Sequence, residues 1–101
     1  MQTLNIKGLE EIFKKNLYDD YLHTALSKII SYEIEKTVKE VKDLKTELVS
    51  YESKFNMQSE EFYKKYSTGE LDDSSDFFEW AALYQMYQRS VERLTLLKSN
   101  D

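Results

Sequence analysis

A chain of 101 residues with no proline and only two glycines, Gly8 and Gly69, has few ways to turn. Sandwiches and barrels of many short strands need turn residues about every 8–12 positions, so this scarcity excludes them. Long helices joined by few corners remain. Leu, Ile, Val and Phe supply 26 residues and aromatic side chains make up 14% of the chain, enough apolar material to exclude compositional disorder. The length allows one domain at most. The expected fold is therefore all-α, a single helical domain over residues 1–101.

Hydrophobic spacing divides that domain. From Asp20 to Phe55 there is no breaker, and Ile30, Ile34, Thr37, Val41, Leu44, Leu48, Tyr51 and Phe55 alternate at intervals of four and three. That is the seam of a coiled coil. It predicts a long helix over 20–56, on the order of 54 Å in length. Glu35, four residues before Lys39, is in the favoured order for an ion pair along it. Ser59 followed by Glu60 and Glu61 reads as an N-cap with acids at the positive end of a helix dipole. Gly69 then offers the left-handed residue that closes such a helix, so a short corner helix is expected over 59–67. After the cap-rich stretch Asp72-Asp73-Ser74-Ser75-Asp76, the residues Phe77, Trp80, Tyr84, Tyr87, Val91 and Leu94 form a second seam. A return helix over 74–98 follows, and the two seams make an antiparallel, coiled-coil-like helical hairpin. Residues 1–19 are an N-terminal helical segment, with a short helix from about Leu9 and a candidate cap at Asp19-Asp20.

The hairpin has a length problem. If Trp80 packs near Tyr51, Leu94 falls near Thr37, and the return helix is exhausted near residue 34. Leu22, Leu26, Ile29 and Ile30 then receive no partner from it, although leaving such side chains in water forfeits several kcal/mol. Either the N-terminal segment folds back over them, or a second copy or another protein covers them.

Catalytic chemistry is not legible. With no cysteine there is no disulfide framework, thiolate zinc site or cysteine nucleophile, which fits a reducing compartment. No apolar run reaches the roughly 18–20 residues of a membrane span. Met1–Lys7 lacks the basic-then-apolar pattern of a signal peptide, so the expected location is cytoplasmic. The single histidine, His23, has no triad-like neighbourhood. Asp72, Asp73, Asp76 and Glu79 lack the alternating spacing and central glycine of a calcium loop and read as helix-capping acids. No glycine-rich phosphate loop exists. The expectation is a non-enzyme with no catalytic residues, cofactor, metal or small-molecule substrate.

Charge points to the kind of partner. The formal net charge is −5, and Glu70–Glu79 contains five acids and no base. Such a surface disfavours direct binding to a phosphate backbone and suits a basic protein. Phe77 and Phe78 are adjacent and point about 100° apart, so both cannot lie in one narrow seam. At helical spacing the aromatic run is core first; alternatively Trp80, beside Asp73, Asp76 and Glu79, would set an apolar anchor in an acidic rim. The expected partner-binding residues are Asp72, Asp73, Asp76, Phe77, Phe78, Glu79 and Trp80, together with Leu22, Leu26, Ile29 and Ile30.

The run Asn56-Met57-Gln58-Ser59-Glu60-Glu61-Phe62-Tyr63, then Gly69-Glu70-Leu71, then Asp76-Phe77-Phe78-Glu79-Trp80-Ala81-Ala82-Leu83-Tyr84, resembles small prokaryotic helical proteins of toxin–antitoxin gene pairs, the partners of TumE-type toxins. The resemblance spans roughly residues 56–94, and Phe77-Phe78-Glu79-Trp80 is its most specific part. It implies a non-enzymatic antitoxin that neutralises a nucleic-acid-acting toxin, and it assigns no contact residues. The absence of a helix-turn-helix or ribbon segment puts direct DNA binding by this chain in doubt. The alternative is a self-associating coiled-coil structural or adaptor protein.

Overall fold

The computed structural model describes residues 4–99, which form four helices and, among the described residues, no strand. They are α1 (Ile6–Lys14), α2 (Asp20–Phe55), α3 (Ser59–Ser67) and α4 (Ser75–Leu97). The chain divides into two compact units, residues 1–32 and 33–101, which share α2.

In the first unit α1 begins about one turn earlier than expected, because the Asn5 side chain accepts a hydrogen bond from the Gly8 N–H at 2.8 Å. A Cβ on Gly8 would lie only 2.8–2.9 Å from that same side chain, which would have to shift to admit it. The chain then breaks at Asn16, whose φ is 56°. Asp19 starts α2 by accepting from the Leu22 N–H at 2.8 Å, as the acids there implied. Phe13 stacks on Tyr18 at 4.4 Å, and Tyr18 on His23 at 5.6 Å. This aromatic column stands in for a core, since none of the described residues of the unit is buried.

The second unit is the hairpin. The portion of α2 from Glu33 onward packs antiparallel against α4, with α3 across the corner. Its core is Leu48, Phe62, Trp80 and Ala81. Register follows the length argument: Tyr51 stacks on Trp80 at 5.8 Å, and fourteen residues back along α2 Thr37 accepts from Arg93, thirteen residues further along α4. Thr37, Leu44 and Leu48 are the buried seam residues of α2. In α4 the seam drifts. Val91 is 36% exposed whereas Ser90, Leu94 and Leu97 are half-buried.

Two local expectations need correction. Ser59 is not the cap of α3: Gln58 takes that position without a side-chain hydrogen bond, and the free Ser59 N–H is met by the Glu52 carboxylate at 2.9 Å. Lys39 pairs with Asp43 at 2.8 Å, an acid one turn downstream rather than Glu35 upstream, and this contact raises its pKa. Across the hairpin Arg93 donates to Thr37 at 2.9 Å and to Glu33 at 2.8 Å. Gly69, at φ +78°, does close the corner.

Candidate functional site

The acidic–aromatic segment at the start of α4 separates into two faces. Ser74 caps the helix by accepting from the Phe77 N–H at 3.2 Å, and Asp72 in turn accepts from the Ser74 N–H. This fixes which way the next turn points. Phe77 and Trp80 go inward. Trp80 is 0% exposed, stacked on Phe62 at 3.8 Å with an interplanar angle of 4°, and its indole N–H donates to Ser59 Oγ at 2.9 Å. The expectation that Trp80 anchors a partner is therefore overturned. Its ring belongs to the core because α3 brings Phe62 and Ser59 over it, and truncation to Ala would cost about 3–5 kcal/mol of folding stability. Phe77 is half-buried against Phe55 and Phe62, at 5.1 and 5.4 Å, and serves the same core.

Phe78 points the other way and is 67% exposed. Together with Ala82 and Met86, at intervals of four, it forms one wall of an open groove of about 620 Å³ between α4 and α2. Met86 is itself 51% exposed. Glu47, Ser50, Tyr51 and Lys54 of α2 form the opposite wall. Asp76 and Glu79 stand at the lip, but neither is a bare charge. Lys54 pairs with Asp76 at 2.6 Å, and the Tyr51 hydroxyl donates to Glu79 at 2.8 Å. The hydrogen bond to Glu79, reinforced by burial, pushes the Tyr51 phenol up to about 12.

Of the expected residues, the structure thus gathers Asp76, Phe78 and Glu79 on the groove. Asp72 and Asp73 are exposed in the segment leading into α4, outside the groove lining. Leu22 and Leu26 lie in the first unit and are half-buried, while Ile29 and Ile30 there are 56% and 44% exposed. Sequence reasoning missed Glu47, Tyr51, Lys54 and Met86. Only the outward stripe Phe78–Ala82–Met86 signals this groove in sequence, since its other wall lies some thirty residues earlier. Among the described residues no cluster of three or more His, Asp or Glu side chains is arranged to hold a metal ion. No helix of the described chain is long and apolar enough to cross a membrane. No protein-family model, curated protein or solved structure matches the chain.

Proposed function

We propose that the protein is a non-enzymatic protein-binding module, an antitoxin-like neutraliser that acts in the cytoplasm on a basic, nucleic-acid-acting toxin. The observation that carries this reading is the exposed Phe78 in a groove whose charged lining is three acids and one lysine. An apolar anchor inside a charged rim is the anatomy of a protein-binding hot spot. The groove between two helices suits a third, amphipathic helix with a basic flank, whose apolar face would meet Phe78, Ala82 and Met86. Residues 33–101 carry ten basic against fifteen acidic side chains, a field that attracts such a partner. The resemblance of residues 56–94 to partners of TumE-type toxins agrees with that chemistry.

The test uses the chain tagged in its native cell, compared with Phe78→Ala and with Glu47→Lys. A small basic protein is expected to co-purify with the wild type, and its expression alone should arrest growth. Phe78→Ala should speed dissociation by about thirtyfold, the equivalent of ~2 kcal/mol at a hot spot. Glu47→Lys should instead slow association and flatten its salt dependence. A partner bound with unchanged rates by both variants, or one whose toxicity neither variant fails to suppress, overturns the groove as the recognition site.

A further inference from the structure

The groove that holds Phe78 does not end at Met86. A second open hollow of about 590 Å³ continues it along the hairpin, and Met86 lines both. Both lie within the second unit. From Phe78 to Arg93 α4 advances fifteen residues, about 22 Å at the helical rise, which is four turns. The α4 wall changes character over that length. It begins with Asp76 and Glu79, passes the apolar Ala82 and Met86, and ends on Arg89 and Arg93. In the second hollow Arg93 is engaged by Thr37 and Glu33, and Asp43 by Lys39. Arg89 differs. It is exposed, and its guanidinium forms no ion pair or hydrogen bond with any described residue.

We infer that the partner segment filling this groove is an amphipathic helix of about four turns that carries, besides basic side chains over the Phe78 end, an acidic side chain opposite Arg89. This rests on the groove reading above and extends it to the length and charge order of the partner. Charge complementarity selects the occupant. In the first hollow three acids face one lysine, and Lys54 is already paired with Asp76, so a base on the partner has Glu47 and Glu79 to meet. In the second hollow a uniformly basic helix would instead set a like charge beside Arg89, which disfavours it. An acid at that place replaces the repulsion with a pair. Phe78, Ala82 and Met86 supply apolar contact over the first half of the groove only, so that half anchors the helix and the other half discriminates between helices.

Two fluorescein-labelled helical peptides of about 18 residues, long enough for the four turns, test this by anisotropy against the full chain. Both carry the same leucine face and the same lysines over the first two turns. In the fourth turn one has glutamate and the other lysine. The wild type should bind the glutamate peptide about threefold more tightly, the scale of an exposed charge pair. The ratio of the two affinities should fall about threefold in Arg89→Met and about tenfold in Arg89→Glu, which reverses the preference. Arg89 is exposed, so neither substitution touches the core, and helical ellipticity checks that each variant is folded. Phe78→Ala should weaken both peptides at least about tenfold and leave their ratio unchanged. Binding that depends on Phe78 but favours the lysine peptide, or a ratio that Arg89→Glu does not move, overturns this inference and leaves the groove reading standing. Peptides that do not bind, or that bind Phe78→Ala as tightly as the wild type, overturn both.

Discussion

Replacing Ser59 with alanine tests the account of the corner, because two roles for that serine give different energies. Ser59 is 3% exposed and its hydroxyl accepts the indole N–H of Trp80, itself fully buried, at 2.9 Å. Alanine is well tolerated at the first position of a helix, so the cost of Ser59→Ala is the orphaned N–H, about 1–3 kcal/mol. In a domain of this size each kcal/mol moves Tm by about 4–8 °C. Were Ser59 a capping residue, losing it would cost about 1 kcal/mol whatever stood at position 80. The double-mutant cycle with Trp80→Phe separates the two, since phenylalanine has no N–H to orphan. Urea unfolding followed by far-UV circular dichroism, which does not depend on the tryptophan, gives the four stabilities. Ser59→Ala should lose about 1–3 kcal/mol beside Trp80 and almost nothing beside phenylalanine. If the two losses agree within about 0.5 kcal/mol, the hydrogen bond to the indole is not what holds Ser59 in place.

The raised Tyr51 phenol makes the hairpin sensitive to alkali. A folded-state pKa of about 12 against an ordinary 10.0 favours the neutral phenol, so its contribution is full below pH 10 and is lost as pH rises through about 12. Tyr51→Phe should flatten the fall in stability across that window, and a phenolate absorbance titration in which Glu79→Gln does not lower the late-titrating tyrosine would refute the assignment. At the far end of the hairpin, hydrogen bonds from Arg93 and then Lys36 hold the Glu33 carboxyl below its usual range. That contribution is present above the ordinary carboxylate pKa and disappears as pH falls through the lowered one. Arg93→Met should lower stability at neutral pH only modestly, because the pair is partly exposed to screening solvent, and should remove most of the acid-side slope. An acid slope unchanged in Arg93→Met would place its origin elsewhere.

Much of the fold was legible because the features that set it are local. Gly69 marks the end of α3, the interval pattern marks both seams, and the distance from Tyr51 back to Thr37 measures how far α4 can reach. The role of Ser59 and the residues of α3 that cover Trp80 were not legible for a physical reason. A serine followed by two glutamates looks the same whether it caps a helix or occupies its first turn, and the choice was made by Glu52, seven residues earlier, whose carboxylate meets the Ser59 N–H. Likewise, acids beside Trp80 in sequence give no information about Phe62, which α3 lays flat on the indole. Phe78 could be read outward because it adjoins Phe77, and two neighbours cannot share a seam. The groove could not be read, since Lys54 and Tyr51 reach its acids only once the hairpin has closed.

The contacts that close the hairpin are graded by how much chain each one spans. Ser59 meets Trp80 across 21 residues, Tyr51 meets Glu79 across 28, Thr37 meets Arg93 across 56 and Glu33 meets Arg93 across 60. Forming the outermost contact directly would cost about 0.9 kcal/mol more loop entropy than forming the innermost, but once the inner contacts exist each further turn closes only a few free residues. Folding is therefore expected to nucleate where Trp80 enters the corner and to zip toward Glu33. In kinetic terms, substitutions at Ser59 should slow folding, while Arg93→Met should mainly accelerate unfolding. The reverse partition, read from the two arms of a chevron plot, would mean that the open end of the hairpin assembles first.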